Sequence, residues 1–158
     1  MKRDLLNDEN SVSISIGFIL TFGITVIAFI MIMNSFYSMM GQAEHTVMRE
    51  EFEILGNDIS VQLTNVDTIV GNTSNAGSNT QEIRYDLSLP DKVAGQYYSI
   101  GFSNQSREII FCSHEKSETT VKIPYATRTV DVASTTIYSA AGSHYLLYSP
   151  ATNIIEVH

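Results

Sequence analysis

The hydrophobic pattern begins with one long apolar block. Ile14–Phe36 reads ISIGFILTFGITVIAFIMIMNSF, and no charged residue occurs from Asn10 to Ala43. The polar members of the block are Ser, Thr and Asn, which a helix hides by bonding them to its own backbone. At about 1.5 Å per residue the block is long enough to cross about 30 Å of hydrocarbon. A soluble helix this apolar on every side needs a larger core around it than this chain supplies. The block is therefore expected to lie in a membrane or in a bundle of helices.

Beyond it the pattern changes but stays helical. Met48, Phe52, Leu55, Ile59, Leu63, Val66 and Val70 recur at gaps of three and four, the period of one helical face. Glu44, Glu50, Glu51, Glu53, Asp58 and Asp67 mostly fall off that face. No proline precedes Pro90, so helix is predicted from about Ser13 to about Val70, with Gly41 and Gly56 as its weak points. The apolar stripe needs a partner, most simply a sheet from the same chain. Gly71–Thr80 (GNTSNAGSNT) holds only Gly, Ala, Ser, Thr and Asn and reads as a linker.

From Gln81 onward a period of two takes over. Ile83, Tyr85, Leu87 and Leu89 alternate with Glu82, Arg84, Asp86 and Ser88, and Pro90 closes this strand. Tyr97–Phe102 and Glu108–Cys112 flank a hairpin loop, Ser103–Arg107. Thr119–Ile123 is a strand ending at Pro124. Thr129–Val132 and Thr135–Ser139 are weaker strands. Tyr145–Tyr148 and Asn153–Val157 flank a second hairpin loop, Ser149–Thr152. The expected fold is α+β: one long N-terminal helix, transmembrane in its first half, followed by a small antiparallel β-sheet or sandwich that packs on its second half. The plan by segment is a charged leader over 1–11, the helix over 12–70 with 12–36 in the membrane, a polar linker over 71–80 and a β-rich extracellular domain over 81–158.

Charge gives this plan a direction. Lys2 and Arg3 precede the apolar block, whereas Gln42–Val70 holds one base, Arg49, and six acids. The excess of Lys and Arg marks the cytoplasmic side, so the N-terminus is expected inside and the sheet outside. A removable secretory signal has a shorter apolar core and a small-residue cleavage site after it; here Met39, Met40 and Ala43 continue the run, so it is expected to be retained. Nine bases against seventeen acids, a formal charge of −8, argue against nucleic acid as a partner. One Cys excludes an internal disulfide framework and a Cys-based zinc site.

Candidate chemistry is sparse. His45, His114, His144 and His158 show no metal-ligand spacing, and His45 reads as a solvated interfacial residue. Cys112 and His114 stand two apart on a strand edge, the proximity a Cys–His nucleophile needs, but Cys112 reads better as a small buried hydrophobe. Asp86, Asp91, Glu108, Glu115 and Glu118 read as solvated, with a loop calcium site as the alternative. Tyr85, Tyr97, Tyr98, Phe102, Phe111, Tyr125, Tyr138, Tyr145 and Tyr148 are expected to build the sheet core and its cross-strand pairs. No phosphate loop, nucleophile elbow or EF-hand ladder is present. No catalytic residue, metal or cofactor is expected, and the chain does not read as an enzyme. Asn72-Thr73-Ser74 and Asn104-Gln105-Ser106 are acceptor sequences for N-linked glycan in predicted loops.

The order of leader, apolar helix, acidic amphipathic continuation and small sheet resembles that of type IV pilin-like proteins. Asp8-Glu9-Asn10-Ser11-Val12-Ser13-Ile14-Ser15-Ile16-Gly17-Phe18-Ile19-Leu20 is similar to the D-E-x-A-V-S-P-V-I-G-x-I-L start of many archaeal pilins. Arg49–Leu63, Leu89–Gly95 and Val121–Pro124 are similar to a group of uncharacterised archaeal pilin-like membrane proteins, so the resemblance covers most of the chain. It implies a precursor held in membrane lipid by its helix, trimmed by a membrane prepilin peptidase between Ser11 and Val12, and built by the pilus assembly machinery into a filament with other pilin-like subunits. It further implies a bundle core of Val12–Phe36, with Gly17 and Gly23 at close helix contacts and Phe18, Phe22 and Phe29 packing beside them. Asn10 stands where the usual cleavage site has a basic residue, and Ile14 replaces the proline. These departures point to a minor pilin or a permanently anchored relative. The alternative function is a membrane-anchored binding module, such as an archaellum stator-like protein whose outside β-domain contacts the surface layer.

Overall fold

The computed structural model describes residues 3–113 and 119–158, with side chains described from Ser15 onward. The helix α1 spans Arg3–Asn75. Eight strands follow: β1 (Ile83–Leu87), β2 (Tyr98–Ser103), β3 (Glu108–Ser113), β4 (Thr120–Pro124), β5 (Asp131–Val132), β6 (Thr135–Tyr138), β7 (His144–Ser149) and β8 (Ile154–Val157). The fold is α+β, as the pattern requires. The chain divides into two units, Met1–Ala43 and Glu44–His158.

Among the described residues the first unit is this helix alone. Its large apolar side chains from Ile16 to Met40 are exposed, Phe18 to 73%. The Thr21 hydroxyl donates to Gly17 O and the Thr25 hydroxyl to Thr21 O, each at 2.8 Å. These bonds hide the two hydroxyls within the helix itself, so neither threonine breaks its apolar surface. The Phe18 and Phe22 rings stack one turn apart at 6.5 Å. α1 starts well before Ser13, since no proline or glycine precedes Gly17 to stop it.

The second unit sets the last part of α1 beside two four-stranded sheets, in the orders β1-β7-β8-β5 and β4-β3-β2-β6. Every pairing is antiparallel except the two-residue pairing of β5 with β8. Both expected hairpins form: β2 with β3, pairing Phe102 with Ile109, and β7 with β8, pairing Tyr148 with Ile155. A tight turn at Ala94-Gly95, with φ of 48° and 77°, precedes β2 and closes the Val93–Gln96 bridge; two successive positive φ values are the mark of a type I′ turn.

The predicted helical stripe is the helix's share of the core. Met48, Phe52, Ile59, Leu63, Val66 and Val70 are buried in one cluster with Ile100, Ile109, Phe111, Leu146 and Ile155. Phe52 lies 5.2 Å from the Tyr98 ring and 5.1 Å from Phe111, so one aromatic knob on α1 engages both central strands of the β2–β3 hairpin. Gly56 is no weak point, and α1 runs unbroken through it. A Cβ there would stand 2.5 Å from Ile123 Cδ1 and 3.1 Å from Phe111 Cε2, so the absent side chain lets helix and sheet approach.

Three other expectations need correction. Part of the polar segment expected as linker is helical, since α1 continues to Asn75. The Thr73 hydroxyl donates to Ile69 O, and the helix then closes on Gly77 at φ 73°, with Ser78 N bonded to Thr73 O and Gly77 N to Ser74 O. That pair of bonds is a Schellman cap, which a positive-φ glycine allows. Cys112 is half-buried rather than core: the alternation of β3 turns Ile109, Phe111 and Ser113 inward and Cys112 outward, beside Thr120. Its expected partner His114 lies outside the described residues. Of the aromatics, Tyr98, Phe102, Phe111, Tyr125 and Tyr148 are core. Tyr97 and Tyr138 stand on the surface, since alternation sends only one of Tyr97 and Tyr98 inward.

Candidate functional site

The features that bear on function are the apolar helix, a polar ridge that fixes the helix to the sheets, and a shallow cavity near the helix end. Gly17 and Gly23, expected at close helix contacts, each have open space where a Cβ would be. Phe18, Phe22 and Phe29 are exposed around them. Ser11 and Val12 lie on α1, among the residues whose side chains are not described.

The polar ridge was not anticipated. Asp67 falls off the apolar stripe in sequence, yet it is only 8% exposed. Its carboxylate accepts the backbone N–H groups of Arg128 at 3.0 Å, Thr129 at 2.7 Å and Val130 at 3.0 Å. Ser60 donates to Pro124 O at 3.2 Å, and the Thr64 hydroxyl lies 2.9 Å from Ser60 O and 3.4 Å from Ala126 O. A Cβ on Gly71 would stand 3.0 Å from Thr129 Oγ1. Residues 60, 64, 67 and 71 are spaced by four, three and four, so they form a second stripe beside the apolar one. It receives the end of β4 and the segment that follows, bonding backbone groups of Pro124, Ala126, Arg128, Thr129 and Val130. The signal was present as spacing; what the acceptors would hold was not.

A cavity of about 620 Å³ opens between the end of α1 and the β7–β8 turn, lined by Val70, Ser74, Asn79, Thr129, Tyr148 and Asn153 among others, with no charged side chain. Its inner wall is already bonded: Tyr148 donates to Asn153 Oδ1 at 3.0 Å, and Asn153 Nδ2 to Thr129 O at 2.7 Å. Asn72 lies on the last turns of α1 rather than in a loop, and Asn104 lies in the β2–β3 turn; both are exposed.

The titratable groups serve the fold. Tyr98 donates to Pro90 O at 2.7 Å, and burial, aided by Asp91 and Glu51, pushes its phenol up to about 12. Burial likewise raises Tyr125, whose hydroxyl reaches Ser103 O at 3.1 Å. His45 Nδ1 lies 2.8 Å from Thr119 Oγ1, tying the first turn of the second unit to the residue just before β4. His144 is buried on β7 with Nδ1 3.3 Å from His158 O, and its Nε2 meets no partner among the described residues. Arg84 lies 3.8 Å over the Tyr145 ring, which stacks on His158 at 5.0 Å. Asp86 pairs with Arg84 and Glu108 with Lys122, while Glu115 and Glu118 lie outside the described residues. Among the described residues no three His, Cys, Asp or Glu side chains gather where they could hold a metal.

These features define an α+β protein with one N-terminal helical segment long and apolar enough to cross a membrane, suited to single-pass anchoring, joined to a small two-sheet unit. The chain belongs to a family of unknown function (DUF7266), whose profile matches residues 7–154. No curated protein and no solved structure matches it.

Proposed function

We propose that the chain is a pilin-like structural subunit, a minor one by its leader departures, that assembles through its N-terminal helix into a type IV pilus-like surface filament or pseudopilus. The observation that carries this reading is the apolar helix surface. It carries no charged residue from Asn10 to Ala43, and its most apolar stretch is not buried within the chain. Such a surface requires lipid or other helices around it, and one without charge passes from lipid into a helix bundle without exposing polar groups. Gly17 and Gly23, open on that surface, suit close helix contact. The pilin-like start at Asp8–Leu20 supports the same reading.

The partners are then other pilin-like subunits, a prepilin peptidase that cuts between Ser11 and Val12, the assembly machinery and membrane lipid. The water-side unit contributes contact rather than catalysis. Exposed Asn104 and Asn72 are the glycan acceptors of an exported unit, with Asn104 the better placed because it lies in a turn rather than on a helix.

The test is the mature N-terminus, read by mass spectrometry from host membranes and from material sheared off the cell surface. A start at Val12 in sheared material is the expected result. An uncut chain confined to membranes overturns it in favour of a permanently anchored binding module. Gly17→Leu is expected to remove the chain from sheared material while leaving it in membranes.

A further inference from the structure

Among the described residues of the second unit, the large hydrophobics that stand in solvent are Val47, Ile54, Val61, Ile69, Tyr97 and Tyr138. Four of the six are on α1. Val47, Ile54 and Val61 are exposed to 53%, 63% and 57% and are spaced by sevens. At about 100° per residue they lie roughly 140° around the helix from the Met48–Val70 face. The sheets that cover one face therefore leave the other bare.

A second row runs beside this one. Glu44, Glu51 and Asp58 are also spaced by sevens, three residues before Val47, Ile54 and Val61 respectively. Arg49 is the one Lys or Arg in α1 from residue 44 onward, and its guanidinium is 3.3 Å from Glu53. The face is thus a single heptad row of apolar knobs with an acidic border, and the positions three residues after the knobs are Glu50, Asn57 and Thr64. A seven-residue period is the one a neighbouring helix follows when two helices wind around each other, because it tracks the slow drift of a straight helix.

A second copy of the chain is a poor occupant. Taking the knobs as the core position of the heptad, parallel pairing sets Glu53 of one copy against Asp58 of the other. Antiparallel pairing sets the Glu44–Glu51–Asp58 rows against each other. Like charges along such borders specify against pairing. We infer that this face of α1 docks a helix of another protein, one with an apolar residue at every seventh position and Lys or Arg along its borders. The inference rests on the reading of α1 as anchored in a membrane beside other helices. One row of knobs is a weak interface on its own, and confinement to the same membrane raises the effective concentration of the partner.

The test uses the full chain in discs of zwitterionic lipid, with a photo-crosslinking residue in place of Val61. Two synthetic helical peptides serve as probes, each of about four heptads with Leu at the core position, one with Lys borders and one with Glu borders. The Lys peptide is expected to give an adduct that is about tenfold stronger than that of the Glu peptide and that fades by ~0.5 M salt. Ile54→Ser is expected to reduce the adduct several-fold at unchanged charge. Equal adducts from both peptides, an adduct indifferent to Ile54→Ser, or a dominant adduct between two copies of the chain each overturn the inference. A chain that fails to float with the discs overturns the anchor reading, and the inference with it; a chain that floats but gives no selective adduct overturns the inference alone.

Discussion

Gly56 on α1 and Ile123 on β4 stand so close that a Cβ on the glycine would come within 2.5 Å of Ile123 Cδ1 and 2.7 Å of its Cγ1. The helix gives up helical propensity at this point and gains contact with the sheet. Gly56→Ala adds about 1 kcal/mol of helix propensity, but overpacking costs about 1–3 kcal/mol. The expected net effect is destabilisation of the second unit by about 1 kcal/mol. Ile123→Val, which removes Cδ1, should recover part of that loss in the double variant, a non-additivity characteristic of touching residues. Gly41→Ala, with open space around it, should be neutral or stabilising. Denaturant unfolding of the detergent-solubilised chain, followed by circular dichroism, measures all four; a Gly56→Ala chain as stable as Gly41→Ala would show that the contact is not tight.

Asp67 holds three consecutive backbone N–H groups, those of Arg128, Thr129 and Val130. Removing the carboxylate leaves those donors buried and unmatched, at about 1–3 kcal/mol per unsatisfied group before any relaxation toward water. Asp67→Ala is expected to destabilise the unit by about 2–4 kcal/mol. Asp67→Asn keeps one acceptor oxygen and should lose less. Amide hydrogen exchange locates the effect: residues 128–130 should lose protection before the β2–β3 hairpin does. Uniform loss of protection across the sheet would mean that Asp67 acts on the whole core instead.

Tyr98 gives the fold an alkaline limit. Its phenol titrates at about 12 in the folded chain, against 10.0 for an ordinary tyrosine, because burial disfavours the anion. A raised folded value means that the unfolded chain loses this proton first. The stabilising contribution is whole below pH 10 and is lost as pH rises through about 12. Unfolding free energy should therefore fall more steeply above pH 10 in the native chain than in Tyr98→Phe. At neutral pH the variant should be weaker by about 1 kcal/mol, from the lost bond to Pro90 O. Parallel pH profiles would place the alkaline transition elsewhere.

In the apolar segment, the hydroxyls of Thr21 and Thr25 are already bonded to the helix backbone. Thr21→Val and Thr25→Val should leave membrane insertion unchanged. Ile24→Asp places a charge within the same segment at a cost of about 3 kcal/mol and should sharply lower the inserted fraction, as read by flotation with lipid vesicles. Equal flotation of Ile24→Asp and the native chain would sink the membrane assignment.

Much of this architecture was legible because it rests on periodicity. The uncharged block, the Met48–Val70 stripe and the alternations around Phe102–Ile109 and Tyr148–Ile155 each report which side of an element must leave water, and burial acts on residues one at a time. The sequence also carried the sevenfold spacing of Val47, Ile54 and Val61, though only the placement of the sheets left them bare.

Other features depended on what each element met. Composition marked Gly71–Asn75 as linker, but the Schellman cap at Gly77 let the helix continue through it. Asp67 carried an ordinary surface charge in sequence and became a buried acceptor because the segment between β4 and β5 presents three N–H groups there. Gly56 read as a flaw in the helix until Ile123 and Phe111 came within reach of it. Periodicity is a property of one segment, so the sequence by itself determined which faces are apolar. Hydrogen-bond satisfaction and close approach are properties of pairs distant along the chain, so only the tertiary structure decided what those faces and their polar neighbours hold.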